Sequence, residues 1–428
     1  MPETLLHKRG SLHRVFMRAL SVVRTFASFV LVVGAFIFLL AIVAKISRDK
    51  DQLWDFKNYY APVKVMQAGL DPYDNNNFKI VFPDGQYKRW QYPPIVLNYF
   101  APFALLPYES ARQLWLACNL IFAFFLVAVW HRYLVNLNPD ALTCWFILLA
   151  FNGTFVWGLA SGNIALFEQL LLFLGIGLFL QKRYILFATC VAFAAQFKLI
   201  PIAFLGLLLL TDPKPRWKAL LVGLGLFSIV YSTNYLFYPD LVSRFYWMAS
   251  TDQLDPPSDV SLLNFVNVFT SWISGRANLT AEAAAKITWV IYVCIVGVIL
   301  CVSYAVFRYS RERISQRQAV LYFCVIYCLA VPRLLAYAPI TAIASTLFLL
   351  KSKDLTLRIP LILAFVLPVM YYPVADDFFH KLRLFAPLIA LGVIWLCFSR
   401  MLLDSQESPL ADQPRSIDSE IPATNYVS

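Results

Sequence analysis

The feature that most constrains this chain is a succession of apolar runs, each about as long as a bilayer is thick, joined by short polar linkers. A membrane-spanning helix needs about 20 apolar residues. Within lipid the backbone amides of such a run must satisfy one another, which makes it helical. The runs at 26–46, 112–131, 141–160, 163–180, 217–238, 286–308, 318–334, 335–350, 359–374 and 384–399 read as spans. The first is too long for the core of a signal peptide and lacks a small-residue cleavage site, so it reads as an uncleaved span. Charged residues make up 14% of the chain, against roughly 25% in soluble domains. The expected fold is therefore all-α and polytopic.

Residues 184–210 are one span long, yet Gln181-Lys182-Arg183 precedes them and Asp212-Pro213-Lys214-Pro215-Arg216 follows. Short basic flanks belong on the cytoplasmic side. Two such flanks predict a re-entrant pair of short helices turning at Lys198-Leu199-Ile200-Pro201, because proline disfavours helix in the residue before it. Irregular backbone at that depth needs protein or a watery cavity around it. Lys198 would sit near the outer end of such a cavity. The sum is about 12 transmembrane helices with both termini cytoplasmic.

The organisation that follows has three parts. Residues 1–25 form a basic cytoplasmic lead-in carrying Lys8, Arg9, Arg14, Arg18 and Arg24. Residues 26–400 form the transmembrane domain, with large outer loops at 47–110 and 239–285. The Ser-, Pro- and acid-rich tail at 401–428 is expected to be disordered. Nearly all of the net charge of +11 falls on the segments expected inside. The basic balance thus reports topology, not a nucleic-acid partner. The eight cysteines fall within the apolar runs and the four histidines are scattered, so neither a disulfide framework nor a metal cluster is implied.

The loop at 47–110 is the longest polar interval before the tail. It carries Asp55 just past the first run, then Gly69-Leu70-Asp71-Pro72-Tyr73, then Tyr92-Pro93-Pro94 with Pro102 and Pro107. Gly69 and Pro72 explain a turn at Asp71 without further function; Asp71 and Tyr73 fit sugar binding as well. Tyr92 could stack on a sugar or shape the loop's return to the membrane, where 93–106 reads as interfacial or re-entrant. Lys198 and Arg333 are charges within apolar runs, which usually mark a polar pathway or site, although both could snorkel. Gly162-Asn163, with Glu168 following, fits either a tight helical hairpin or a functional turn. Asp376-Asp377 and His380 form another polar group in an outer loop, with nothing to tie them to chemistry.

In order and spacing, these motifs resemble glycosyltransferase family 87, within the GT-C superfamily of integral-membrane enzymes. The resemblance runs over roughly residues 50 to 340. It implies a GT-C-type helical bundle and an inverting hexosyltransferase using a polyprenyl-phosphate sugar, most often mannose. The acceptor would be a lipid or glycan, and the site would face the non-cytoplasmic side of a cell membrane, here a bacterial cytoplasmic membrane. Asp55 occupies the place of the family's proposed catalytic acid, a general base for the acceptor hydroxyl. Tyr92, Asn163, Asp71, Tyr73 and Tyr337 become candidate substrate contacts. Lys198, ahead of Pro201, and Arg333, in Pro332-Arg333 ahead of Tyr337, become contacts for the donor phosphate, whose departing charge a cation stabilises. Other members carry a His in that later segment, and this chain has none. No cofactor is implied beyond the lipid-linked donor, and no metal. The rival reading is a transporter or lipid flippase, which would predict related halves and charges near the midplane. No half-repeat is evident, and transport leaves the first outer loop unexplained.

Overall fold

The computed structural model describes residues 3–83, 90–135, 140–211, 213–251, 259–277, 280–352, 354–366 and 385–404. Asp376, Asp377 and His380, the acids Asp252 and Asp255, and residues 405–428 of the tail lie outside the described residues, whereas 401–404 continue the last helix. Within them the chain is helical, with one isolated antiparallel bridge between Asp259 and Leu335 in place of any sheet.

The long helix α1 (Glu3–Arg48) carries the first apolar run and ends on basic residues, Lys45 and Arg48, which favour a helix C-terminus. The loop at 47–110 is itself largely helical: α2 (Trp54–Gln67), α3 (Asn75–Val81) and α4 (Leu97–Ala104), the last entered through a short 3-10 turn at Pro94–Val96. Next come α5 (Tyr108–Val129), α6 (Ala141–Ser161), α7 (Ala165–Leu180) and α8 (Tyr184–Phe197). A 3-10 helix, Ile200–Leu210, leads into α9 (Pro213–Phe237). The second large loop supplies α10 (Pro239–Thr251) and α11 (Leu262–Ala277). Then follow α12 (Ala281–Ser310), α13 (Gln316–Ala330), α14 (Ile340–Leu350), α15 (Leu355–Val366) and α16 (Ala386–Asp404).

Six of these helices are long and apolar enough to cross a membrane: the 25–48 part of α1, α5 with its extension to Leu134, α6, α9, α12 from Glu282, and α16. Others, α7, α8 and α14 among them, are apolar but 10–17 residues long. The short ones are among the most buried. Leu172, Phe173, Ile176 and Phe179 of α7 and Phe187, Ala188 and Val191 of α8 are essentially inaccessible. Long α9 and α12 instead present Leu221, Ile229, Val290 and Val298 outward. Lipid is as apolar as leucine, so close packing and small residues, not hydrophobicity, hold such helices together. At Gly175 a Cβ would come within 3.0 Å of Cys190 Cβ, so α7 and α8 approach closely at that point.

The segment at 184–210 breaks where the sequence places a turn. Helix α8 stops at Phe197, Lys198 is extended (φ −143°, ψ 131°), and the 3-10 helix begins at Ile200 with Pro201 in its first turn. The two pieces pack against each other.

Candidate active site

The junction from α1 to α2 positions Asp55. Arg112, at 1% exposure, reaches from α5 to the end of α1 and donates to the carbonyls of Ile46 (2.7 Å), Ser47 (3.0 Å) and Asp49. The last carbonyls of a helix lack intrahelical partners, and a guanidinium fork satisfies several at once. Leu53 then turns through the left-handed region (φ 60°), donates its amide to Ala160 O at 2.7 Å and is fully buried. Asp55 follows in the first turn of α2, where the helix dipole favours a carboxylate. Asp55 is partly exposed.

The turn from α6 to α7 meets this junction. Gly162 ends α6 at φ 65°, and a Cβ there would fall 2.8 Å from Leu53 Cδ2. Trp115 Nε1 donates to Gly162 O at 2.7 Å. The next residue, Asn163, is 2% exposed and donates through Nδ2 to Asp55 Oδ2 and to the Tyr337 hydroxyl, both at 2.8 Å. Its Oδ1 accepts the amide hydrogen of Ala165 at 2.9 Å. That contact fixes the orientation of the amide, because only its oxygen can accept. The tight turn expected at Gly162-Asn163 is present, and its Asn163 faces Asp55 and Tyr337.

Tyr337 lies on the segment between α13 and α14, where Val331 leaves the helix in an extended conformation before Pro332. Contacts from both sides hold this segment. Thr154 Oγ1, just past a non-helical stretch of α6 at Ala150–Gly153, donates to Ala336 O at 2.7 Å. Buried Asp259 accepts the amide hydrogen of Leu334 through Oδ1 at 3.0 Å. On the far side of Tyr337, Lys198 Nζ sits 5.0 Å from the ring centroid and 3.3 Å from Glu168 Oε2. Glu168 is 4% exposed on the first turn of α7, one turn past Asn163. Arg333 is half-buried on the same segment, and its Nε is buried without a hydrogen-bond partner.

Tyr59, one turn beyond Asp55 on α2, is buried; its hydroxyl accepts the amide hydrogen of Ile164 and lies 3.2 Å from the Tyr92 hydroxyl. Burial pushes both phenols up, Tyr59 well above its ordinary value, with Lys198 pulling Tyr92 partly back. At neutral pH they are protonated hydrogen-bonding groups, not bases.

The structure therefore brings Asp55, Tyr92, Asn163, Lys198 and Tyr337 together, with Arg333 beside Tyr337. It places Asp71 and Tyr73 behind them. Asp71 Oδ1 accepts the Tyr73 amide hydrogen at 2.8 Å, its Oδ2 lies 3.7 Å from Arg244 Nε, and the Tyr73 hydroxyl donates to Tyr92 O at 2.7 Å. Tyr59 and Arg112 are missing from the sequence reading. Tyr59 shares a helical face with Asp55, a signal that was available. Arg112 stands first in its apolar run, where a charge looks interfacial.

Among known proteins, the model of glycosyltransferase family 87 matches residues 90–332, more than half of the chain. The match takes in Tyr92, Asn163, Glu168 and Lys198. Asp55, Asp71, Tyr73, Arg333 and Tyr337 lie outside it. No individual curated protein matches.

Proposed function

We propose that this chain, which belongs to glycosyltransferase family 87, moves a hexose, taken as mannose, from a polyprenyl-phosphate donor to a lipid or glycan hydroxyl, with inversion. One observation carries the reading: the Asp55 carboxylate is joined through Asn163 to the Tyr337 hydroxyl, and the Lys198 cation lies 5.0 Å from the centroid of the same Tyr337 ring. Glycosyl transfer needs both. The acceptor oxygen attacks the anomeric carbon as the bond to the phosphate oxygen breaks, and the polyprenyl phosphate departs. The acceptor's proton passes to Asp55, a general base, while Lys198 and Arg333 stabilise the departing phosphate.

Asn163 orients the Asp55 carboxylate through its hydrogen bond to Oδ2. Tyr92 and Tyr337, beside the acid and the cation, bind the sugar. Asp71 and Tyr73 act through Tyr92, whose carbonyl Tyr73 holds. The site opens on the non-cytoplasmic face of a bacterial cytoplasmic membrane, within about 12 crossings that include a re-entrant pair at 184–210, both termini being cytoplasmic.

The test is transfer of labelled sugar from a polyprenyl phosphate by purified Asp55→Asn protein. General-base catalysis supplies about 10²–10⁴-fold, so turnover should fall by that order while the melting temperature in detergent and donor affinity hold. Near-normal turnover in the variant would remove Asp55 from the mechanism. Movement of lipid across vesicles without transfer by the unaltered protein would replace the enzyme with a transporter.

A further inference from the structure

Helix α2 meets the turn between α6 and α7 through two residues of one face. Asp55 accepts from the Asn163 side chain, and Tyr59, one turn on, accepts the amide hydrogen of the following residue, Ile164, at 3.2 Å. Aromatic neighbours fix the Tyr59 ring. It stacks on Phe100 with 4.5 Å between centroids and stands edge-on to Trp90 and Trp115. That packing sets its hydroxyl 3.2 Å from the hydroxyl of Tyr92.

The pair admits two hydrogen arrangements, and burial decides between them. A phenol has one hydrogen to donate and accepts through its oxygen. Tyr59 is 2% exposed, and among the described residues its hydroxyl meets the Ile164 amide, which donates to it, and Tyr92. Were Tyr92 the donor, the Tyr59 hydrogen would be buried without an acceptor, which is costly. Tyr59 therefore donates to Tyr92. The Tyr92 oxygen is then occupied, and its own hydrogen meets no acceptor among the described residues. Tyr92 is only half-buried, so that hydrogen is open to a ligand. The residue is also held at both ends: Tyr73 donates to its carbonyl at 2.7 Å, and its ring lies against those of Tyr59 and Trp90. Tyr337 is in a similar state. Its hydroxyl accepts from Asn163 Nδ2, which has only hydrogens to give, so the Tyr337 hydrogen too is left to donate. Two such hydrogens near Asp55 and Lys198 match a ligand rich in acceptor oxygens, as a sugar is.

We infer that Tyr59 is a positioning residue for the transferred sugar: by donating to the Tyr92 oxygen, it commits the Tyr92 hydrogen to an oxygen of that sugar. The inference rests on the glycosyl-transfer reading above and adds to it the direction of one proton and the residue that sets it. Tyr59 itself touches no substrate.

The experiment uses the full chain in detergent and reads binding by native mass spectrometry. The probes are a polyprenyl phosphate bearing mannose and the same polyprenyl phosphate without it. Tyr92→Phe is expected to weaken the sugar-bearing lipid by about 3- to 10-fold, the size of one neutral hydrogen bond, and to leave the bare lipid unchanged. Tyr59→Phe keeps the ring packing and should weaken the same probe selectively, by no more than Tyr92→Phe does. The double variant should bind like Tyr92→Phe alone, because Tyr59 acts through Tyr92. A merely structural tyrosine would lower the melting temperature without discriminating between the two lipids. Losses that multiply in the double variant, sugar-lipid affinity untouched by Tyr59→Phe, or equal weakening of both lipids by Tyr92→Phe would overturn the inference. If Tyr59→Phe does not fold, Tyr92→Phe still decides whether the hydrogen meets the sugar. Turnover of Asp55→Asn separates the two claims: near-normal turnover removes the transfer reading, whereas impaired turnover with multiplying tyrosine losses removes this inference alone.

Discussion

Asn163 donates both of its amide hydrogens into the site, so the geometry of Asp55 and the position of Tyr337 depend on one side chain. A similar economy joins Glu168 to Lys198. A lysine near membrane depth is costly unless paired, and Glu168 supplies the pair at 3.3 Å. Removing one partner of a buried pair leaves an uncompensated charge. Glu168→Gln and Lys198→Ala should therefore each lower the melting temperature, whereas the double variant should be no worse than the poorer single, the non-additivity expected of residues in contact. Lys198→Ala should also raise the donor concentration needed for half-maximal rate by roughly 10- to 150-fold, since a charge-assisted contact contributes about 1.5–3 kcal/mol. Additive losses of stability, with unchanged donor dependence, would show that the two side chains are uncoupled and that Lys198 does not meet the donor.

At the scale of elements, two turns locked against each other make the site: α1 into α2 through Leu53, and α6 into α7 through Gly162. Both residues are left-handed, and Gly162 leaves no room for a side chain against Leu53. Gly162→Ala would carry a backbone cost of roughly 1–2 kcal/mol and would also push on Leu53, two residues before Asp55. We expect lower thermal stability together with a loss of turnover. Full activity in a destabilised protein would show that the α1–α2 junction tolerates displacement. This contact also marks the limit of what the sequence reveals. Asp55, Asn163 and Lys198 were legible because each departs from its surroundings: an acid beside a span, a Gly-Asn pair between runs, a cation inside one. Arg112 was not, since its role depends on a partner far along the chain, Ile46; for Tyr59 the shared helical face with Asp55 was readable, but its bond to Ile164 was not. Asp71 illustrates the converse. Its turn chemistry is what the local sequence encodes, and its carboxylate meets the Tyr73 amide and Arg244.

For the whole molecule, the question left by the sequence is how 184–210 meets the bilayer. Hydropathy shows only one span's worth of apolar residues there. The structure divides them into 14 residues of α-helix and 11 of 3-10 helix. At about 1.5 and 2.0 Å per residue these are each roughly 21–22 Å long. Laid end to end they would exceed a hydrocarbon core of about 30 Å; folded together, each reaches part of the way through. Lys198, at the join, would then be carried to one extreme of the hairpin instead of the middle of a crossing, where a lysine costs about 2.5–3.5 kcal/mol or more. The basic flanks on both sides agree with that arrangement. Single cysteines placed at Asp74, Lys182 and Thr211 in a cysteine-free background provide the measurement. A membrane-impermeant maleimide should label the Asp74 position in intact cells, and the Lys182 and Thr211 positions only after permeabilisation. Labelling at Thr211 from outside, with Lys182 protected, would make 184–210 a single crossing. Lys198 would then lie near the midplane, too deep to meet a phosphate at the outer face, and the assignment of that residue to the donor would fall with the hairpin.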